Sequence, residues 1–256
     1  MSLDYDLLCC AMAQPGTFSK LARVAEDQWG LITRRQAENA GVSPATLQRL
    51  SATGLGLERV AHGIYLLAGA PQPDHLHLRA AWLQLAPNAP AWERTPGQGV
   101  VSHRSAAALY GLGHLPPDVH EFTLAARRQT RRPDVRIHRR RMNDGEWNPL
   151  GGLLVTRPSR IASDLLAARE DPEAVGQVVA DGLRGAADDA AGFVQALSAH
   201  AAQLGLRRGD GAAVLRWLLD LIGDPETPRW MDEARFAWTE VAAEPNVDRK
   251  LDLPDG

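Results

Sequence analysis

The stretch that most constrains the fold is 30–54, GLITRRQAENAGVSPATLQRLSATG, because it encodes two short helices and the break between them. Thr33 is a helix-capping residue type, and Gln36, three residues on, completes the spacing of a capping box. Gly41 supplies the left-handed conformation at which such a helix stops. Ser43 caps a second helix that opens on Pro44, where a missing N–H costs nothing. That helix runs to about Thr53 and ends at Gly54. Two short helices joined by a brief glycine-containing turn form a helix-turn-helix. Ahead of it, Leu21, Val24, Ala25 and Trp29 recur at the spacing of an amphipathic helix. Behind it, Leu57, Val60, Ile64 and Leu66 have strand character around the tight turn Ala61-His62-Gly63. Residues 17–70 therefore predict a winged helix-turn-helix domain.

A Pro/Gly linker, GAPQPDH over 69–75, marks a domain boundary, and residues 71–222 read as a larger second domain. Strands are expected at GVVSH, HEFTLAA, DVRIHRR and LLVT. Helices are expected near 76–86, 104–110, from Pro158, and over 172–184, 188–204 and 211–222, with a loop over 87–99. The fold class is α+β: an N-terminal winged helix-turn-helix domain plus a larger C-terminal α+β domain, a short mixed sheet with helices. Residues 223–256 form an acidic, Pro-containing extension in which Trp230, Phe236 and Trp238 suggest one docked helix.

The net charge of -3 conceals segregation. Residues 17–70 carry +2 and 71–163 carry +6, whereas 164–256 set 9 basic against 18 acidic side chains. Lys20 and Lys250 are the only lysines; the other cations are arginines. No window approaches 18 apolar residues, so no membrane span is expected. The run LLCCAMA follows two aspartates and makes a poor signal peptide. A cytoplasmic protein is expected. The neighbours Cys9 and Cys10 are too close for the usual disulfide geometry and read as small buried hydrophobes.

At about 100° per residue, Leu47, Leu50 and Ser51 of the second helix face the core. Ala45, Gln48, Arg49 and Ala52 face outward, with Thr46 and Thr53 at the edge. That face suits the major groove of duplex DNA: Ala45 permits close approach, Gln48 can pair with adenine and Arg49 with guanine. Ser43 and Thr46 lie where hydroxyls and free N–H groups meet phosphate. Arg34 and Arg35 open the helix that crosses the backbone in this motif. Arg59 and His62 sit on the wing beside the site.

The second concentration of chemistry is RRQTRRPDVRIHRRR, 127–141, where Arg127, Arg128, Arg131, Arg132, Arg136, Arg139, Arg140 and Arg141 face one Asp134. On alternating strands it predicts a basic ridge, for phosphates or for an acidic partner protein, the bland alternative being a solvated hairpin.

Enzyme signals are weak. Ser102, His103 and Ser105 lie at a strand-to-helix junction without a nucleophile elbow, and a serine there is more simply a cap. Asp74, His75 and His77 diverge on a helix, so no metal site is expected, and no cofactor. Asp164 falls near the apolar edge of its helix and needs a hydrogen-bond partner. A nuclease core wants several carboxylates and usually a lysine; Asp248-Arg249-Lys250 is the one triplet on offer, in a polar tail.

The ordered motifs resemble a known family. Residues 22–70, VVSHRSAAALYGLGHLPP (100–117), DVRIHRRR and LLVTRPSRIASDLLAA (153–168) look like AbiEi-type antitoxins of bacterial type IV toxin–antitoxin, or abortive infection, pairs, over about 22–222. The resemblance implies a non-enzymatic transcriptional autorepressor. It would bind an inverted repeat in its own promoter, as monomers or a dimer, and counteract a cognate nucleotidyltransferase-like toxin. By position it implies DNA contacts at Thr33, Arg34, Ser43, Thr46, Gln48, Arg49, Arg59 and His62. GLGLERV departs from the family's plainer Leu-Leu-Glu-Arg, and 224–256 matches nothing in it. Two alternatives stand beside this reading: a winged-helix nuclease, and a stand-alone regulator with a sensing domain.

Overall fold

The computed structural model describes residues 15–53 and 56–243, with side chains as far as 236. Cys9, Cys10, Gly54, the side chain of Trp238 and the triplet Asp248-Arg249-Lys250 lie outside the described residues. The chain divides into two compact units. One holds the residues up to Leu109 together with Pro116–Thr156; the other holds Tyr110–Leu115 and the residues from Arg157 onward.

The first unit opens with helix α1 (Pro15–Glu26), strand β1 (Leu31–Thr33), helices α2 (Arg34–Asn39) and α3 (Pro44–Ala52), and strands β2 (Leu57–Ala61) and β3 (Ile64–Leu67). Both expected caps form. Thr33 Oγ1 accepts the Gln36 N–H at 3.0 Å while Gln36 Oε1 accepts the Thr33 N–H at 3.0 Å. Ser43 Oγ accepts the Thr46 N–H at 3.2 Å, and Gly41 turns the chain at φ 81°. Leu21 and Ala25 of α1 meet Ile32, Ala37, Leu47, Leu50, Leu57 and Leu67 in one core. Burying each leucine contributes about 1.5–3 kcal/mol. The wing is β2 and β3, with β1 on the other side of β3 in an antiparallel sheet. Three residues are too few for β1 to show an alternating pattern, and the sequence reading missed it. Trp29 does not continue the first helix, which stops at Glu26. It sits in a left-handed turn at φ 58° with Arg79 stacked 4.3 Å from its ring, and its Nε1 donates to the Gly151 carbonyl at 2.9 Å.

The same unit continues through α4 (Leu76–Leu85), β4 (Val100–Val101), α5 (His103–Tyr110), β5 (His120–Leu124), β6 (Val135–Arg139), β7 (Trp147–Leu150) and β8 (Leu153–Thr156). These strands form a mixed sheet in the order β6-β5-β4-β8-β7. Strand β7, unforeseen because Pro149 argues against a strand, lies at the sheet edge where proline is tolerated. Strands β5 and β6 pair in parallel, Glu121 beside Arg136 and Thr123 beside His138, so the arginine-rich 125–134 segment is a crossover and not a hairpin. Arg94 is buried against the end of α4, where its Nη2 donates to the Leu83 and Ala86 carbonyls at 2.7 Å. Burial, with Arg128 nearby, pulls its pKa down to about 9.

The expected boundary at 70/71 is not where the units divide. Gln28 Oε1 accepts the Ala91 N–H at 3.0 Å, Gln36 Nε2 donates to the Ala89 carbonyl at 3.1 Å, and Thr33 Oγ1 donates to the Pro87 carbonyl at 2.5 Å. Loop 87–91 thus completes the hydrogen bonding of the winged helix, which a detached domain could not leave unsatisfied in its interior.

The second unit is helical: α6 (Pro158–Ala167), α7 (Pro172–Arg184), α8 (Ala190–Leu197), α9 (Gly211–Leu221) and α10 (Thr227–Ala243). The helix expected over 188–204 is α8 followed by a 3₁₀ stretch, Ser198–Leu204. Val175, Val178, Phe193, Leu197, Val214, Leu218 and Trp230 are buried there. Several acidic residues cap its helices: Asp171 for α7, Asp189 for α8 and Asp210 for α9. Asp188 accepts the Ser159 N–H at 2.9 Å and pairs with Arg157 at the start of α6. Part of the negative charge of this half is therefore helix termination. Gly211 is obligatory in shape, since a Cβ there would stand 1.8 Å from the Val194 carbonyl oxygen. Trp230 docks as expected, but Phe236 does not: it is 72% exposed. Among the described residues no helix is long and apolar enough to cross a membrane.

Candidate nucleic-acid interface

Helix α3 buries Leu47 and Leu50 and leaves Ser43, Ala45, Gln48, Arg49 and Ala52 exposed, with Thr46 half-buried. The Ser43 and Thr46 hydroxyls lie 3.0 Å apart at the helix start. Gln48 and Arg49 have no side-chain partner among the described residues.

The wing is held to α2 by the Arg34 N–H, which donates to the Gly63 carbonyl at 2.8 Å. Gly63 takes φ 70°, a left-handed turn conformation that glycine adopts without strain. On this hairpin Arg59 Nη2 lies 3.3 Å from His62 Nδ1, both residues exposed. Between α3 and the wing runs an open groove of about 370 Å³, lined by Arg34, Gln48, Ala52, Arg59, His62 and Tyr65 among others. A second, of about 390 Å³, adjoins the wing and includes Arg35, Gln84 and Pro87.

Not every expected contact lies on this surface. Thr33 is 1% exposed, and its hydroxyl is committed to the Gln36 N–H and the Pro87 carbonyl, so it organises α2 from inside. Arg34 and Arg35 are exposed but share Glu38, at 2.7 and 3.4 Å. The hydrogen bond from Arg34 holds the Glu38 carboxyl below its ordinary range.

The eight arginines of 127–141 do not form one ridge. Arg128 grips the Leu85 and Gln84 carbonyls at the end of α4, and Arg132 pairs with Asp134 and Gln84 Oε1. Arg136 and Arg139 fall on opposite faces of β6, Arg136 turning toward Glu121 at 3.6 Å. Arg140 also has a partner. Arg127, Arg131, Arg139 and Arg141 are exposed without an ion-pair partner among the described residues. One residue that sequence reading passed over links this segment to the wing: Gln84 Nε2 donates to the His62 carbonyl at 2.8 Å while its Oε1 accepts from Arg132. An interior-looking helix residue gives no sequence signal for such a bridge.

An exposed second helix beside a polar two-stranded wing defines a winged helix-turn-helix protein, here joined to a mixed sheet and followed by a helical unit. Residues 19–68 match the family described as "Transcriptional regulator, AbiEi antitoxin". Comparison with curated proteins gave no match. Among solved structures the chain is similar to the RV2827C protein from Mycobacterium tuberculosis, at 19% identity and a TM-score of 0.49, over 86% of this chain and 81% of that one.

Proposed function

We propose that this protein is an antitoxin-like autorepressor that sets α3 into the major groove of its own promoter. The observation that carries the reading is the outward face of α3, where Gln48 and Arg49 are exposed and uncommitted beside a wing bearing Arg59 and His62. Their donor and acceptor sets match the major-groove edges of adenine and guanine. Ser43 and Thr46 at the helix start suit a phosphate, and Arg34 and Arg35 the flanking backbone. Arg127, Arg131, Arg139 and Arg141 extend the cationic surface, with Gln84 joining their segment to the wing.

The second half of the proposal is neutralisation of a nucleotidyltransferase-type toxin encoded next door. It is supported by the antitoxin description of the family that 19–68 matches. The test of the first half is fluorescence anisotropy with the upstream intergenic duplex. Binding to an inverted repeat that weakens steeply with salt is expected, and no binding at low salt overturns it. For the second half, the full chain is co-expressed with the neighbouring reading frame. Restored growth is expected, and growth arrest unrelieved by the full chain overturns it.

A further inference from the structure

The polar face of the mixed sheet carries a cluster that the DNA reading does not use. His103 at the start of α5, Glu121 on β5 and His138 on β6 bring two imidazoles and a carboxylate together, their ligand atoms all within 4.8 Å of one another. The two rings stack with centroids 3.6 Å apart and planes 13° from parallel. His138 Nε2 lies 3.0 Å from Glu121 Oε1, and the Arg104 N–H donates to Glu121 Oε2 at 3.1 Å. Behind His103, Ser102 Oγ meets Nδ1 at 3.0 Å and is itself held by the Thr123 hydroxyl at 2.9 Å. The backbone of His103 is left-handed, φ 53°, a conformation that a non-glycine residue keeps only where its surroundings dictate it.

We propose that His103, Glu121 and His138 form a binding site for a zinc-class divalent transition-metal ion. Two neutral imidazoles and a carboxylate are a recognised zinc donor set, with a fourth position left for water. In tetrahedral coordination, with metal–nitrogen bonds of about 2.0–2.1 Å, two imidazole nitrogens stand about 3.3 Å apart, within the 4.8 Å span of the present ligand atoms. The present rings are stacked 13° from parallel, so their planes do not meet at bonding distance, and one imidazole must rotate out of the stack for both to bind one ion. Ser102, backed by Thr123, and the Arg104 amide orient the ligands from behind, the support that fixes ring and carboxylate direction at metal sites. His138 is 27% exposed on its side chain and opens a route from solvent. Arg136, 3.6 Å from Glu121 and 64% exposed, can turn outward as the cation enters.

The experiment is calorimetric titration of the full chain with zinc(II), with cobalt(II) absorption as a readout of geometry. One ion per chain is expected, with tetrahedral cobalt colour. Affinity should fall at least 100-fold in His138→Ala and in Glu121→Gln and stay unchanged in His75→Ala. Because a variant can fail to fold, the imidazole NMR signals of the wild-type chain are followed during the titration, and those of His103 and His138 should shift before any other histidine's. Absence of one-to-one binding, or shifts confined to other histidines, overturns the assignment. So does affinity undiminished in folded His138→Ala.

Discussion

The carboxamides of Gln28 and Gln36 face each other as a closed pair, each Nε2 donating to the other's Oε1 at 2.9 and 3.0 Å. Gln28 also donates to the Leu31 carbonyl and accepts from Ala91; Gln36 also donates to Ala89 and accepts from Thr33. Every donor and acceptor of two buried amides is used. This pair joins the turn after α1 to α2 and loop 87–91, and it is one of the links that hold the winged helix and the sheet in one unit.

Gln36→Leu leaves the Thr33 N–H, the Ala89 carbonyl and half of the Gln28 amide without partners. Each buried orphan costs about 1–3 kcal/mol, so a loss of at least about 3 kcal/mol is expected in urea unfolding. A loss below about 1 kcal/mol contradicts the structural role given to the pair.

Gln48→Ala and Arg49→Ala should each narrow the gap between operator and scrambled duplex by about 1–3 kcal/mol. Arg34→Ala should weaken both duplexes alike, since a bond to phosphate carries no base information. Glu38→Gln should strengthen binding to both, because it releases Arg34 and Arg35 from their shared carboxylate. Competition anisotropy at fixed salt separates these outcomes.

The arginine segment should split into two groups. Removing Arg127, Arg131, Arg139 and Arg141 together should leave the melting temperature within a degree or two and flatten the plot of log affinity against log salt. The slope drops by roughly 0.9 for each phosphate that is no longer neutralised. Arg128→Ala should instead lower stability, because its guanidinium satisfies the last carbonyls of α4. An unchanged salt slope removes the segment from the DNA interface.

In the helical unit, Arg160 Nε and Asp164 Oδ1 pair at 2.8 Å with side chains only 4% and 5% exposed. Asp164→Leu alone should cost about 3–5 kcal/mol by removing the carboxylate that faces a buried guanidinium, whereas Arg160→Met with Asp164→Leu should cost much less. Thermal unfolding of the two variants checks this.

The winged helix was legible because its signals are local. The caps at Thr33 and Ser43, the stop at Gly41 and the buried stripe Leu47–Leu50 act within one or two turns of chain. Trp29 and Phe236 misled the same reasoning: apolar spacing cannot say whether a ring finds a core, an arginine or solvent. Thr33 misled it differently, since a residue that caps a helix and one that greets a phosphate look alike until the neighbouring loop is in place.

Sequence alone determined the two helices of the helix-turn-helix, their caps and the outward face of α3, because backbone propensity and short-range hydrogen bonds are written in neighbouring residues. Only tertiary structure decided that β5 and β6 run parallel, that Gln84 bridges the wing to Arg132, and that His103, Glu121 and His138 converge. These outcomes rest on pairings between residues far apart in the chain, and periodicity carries no information about which distant segment a polar side chain will meet.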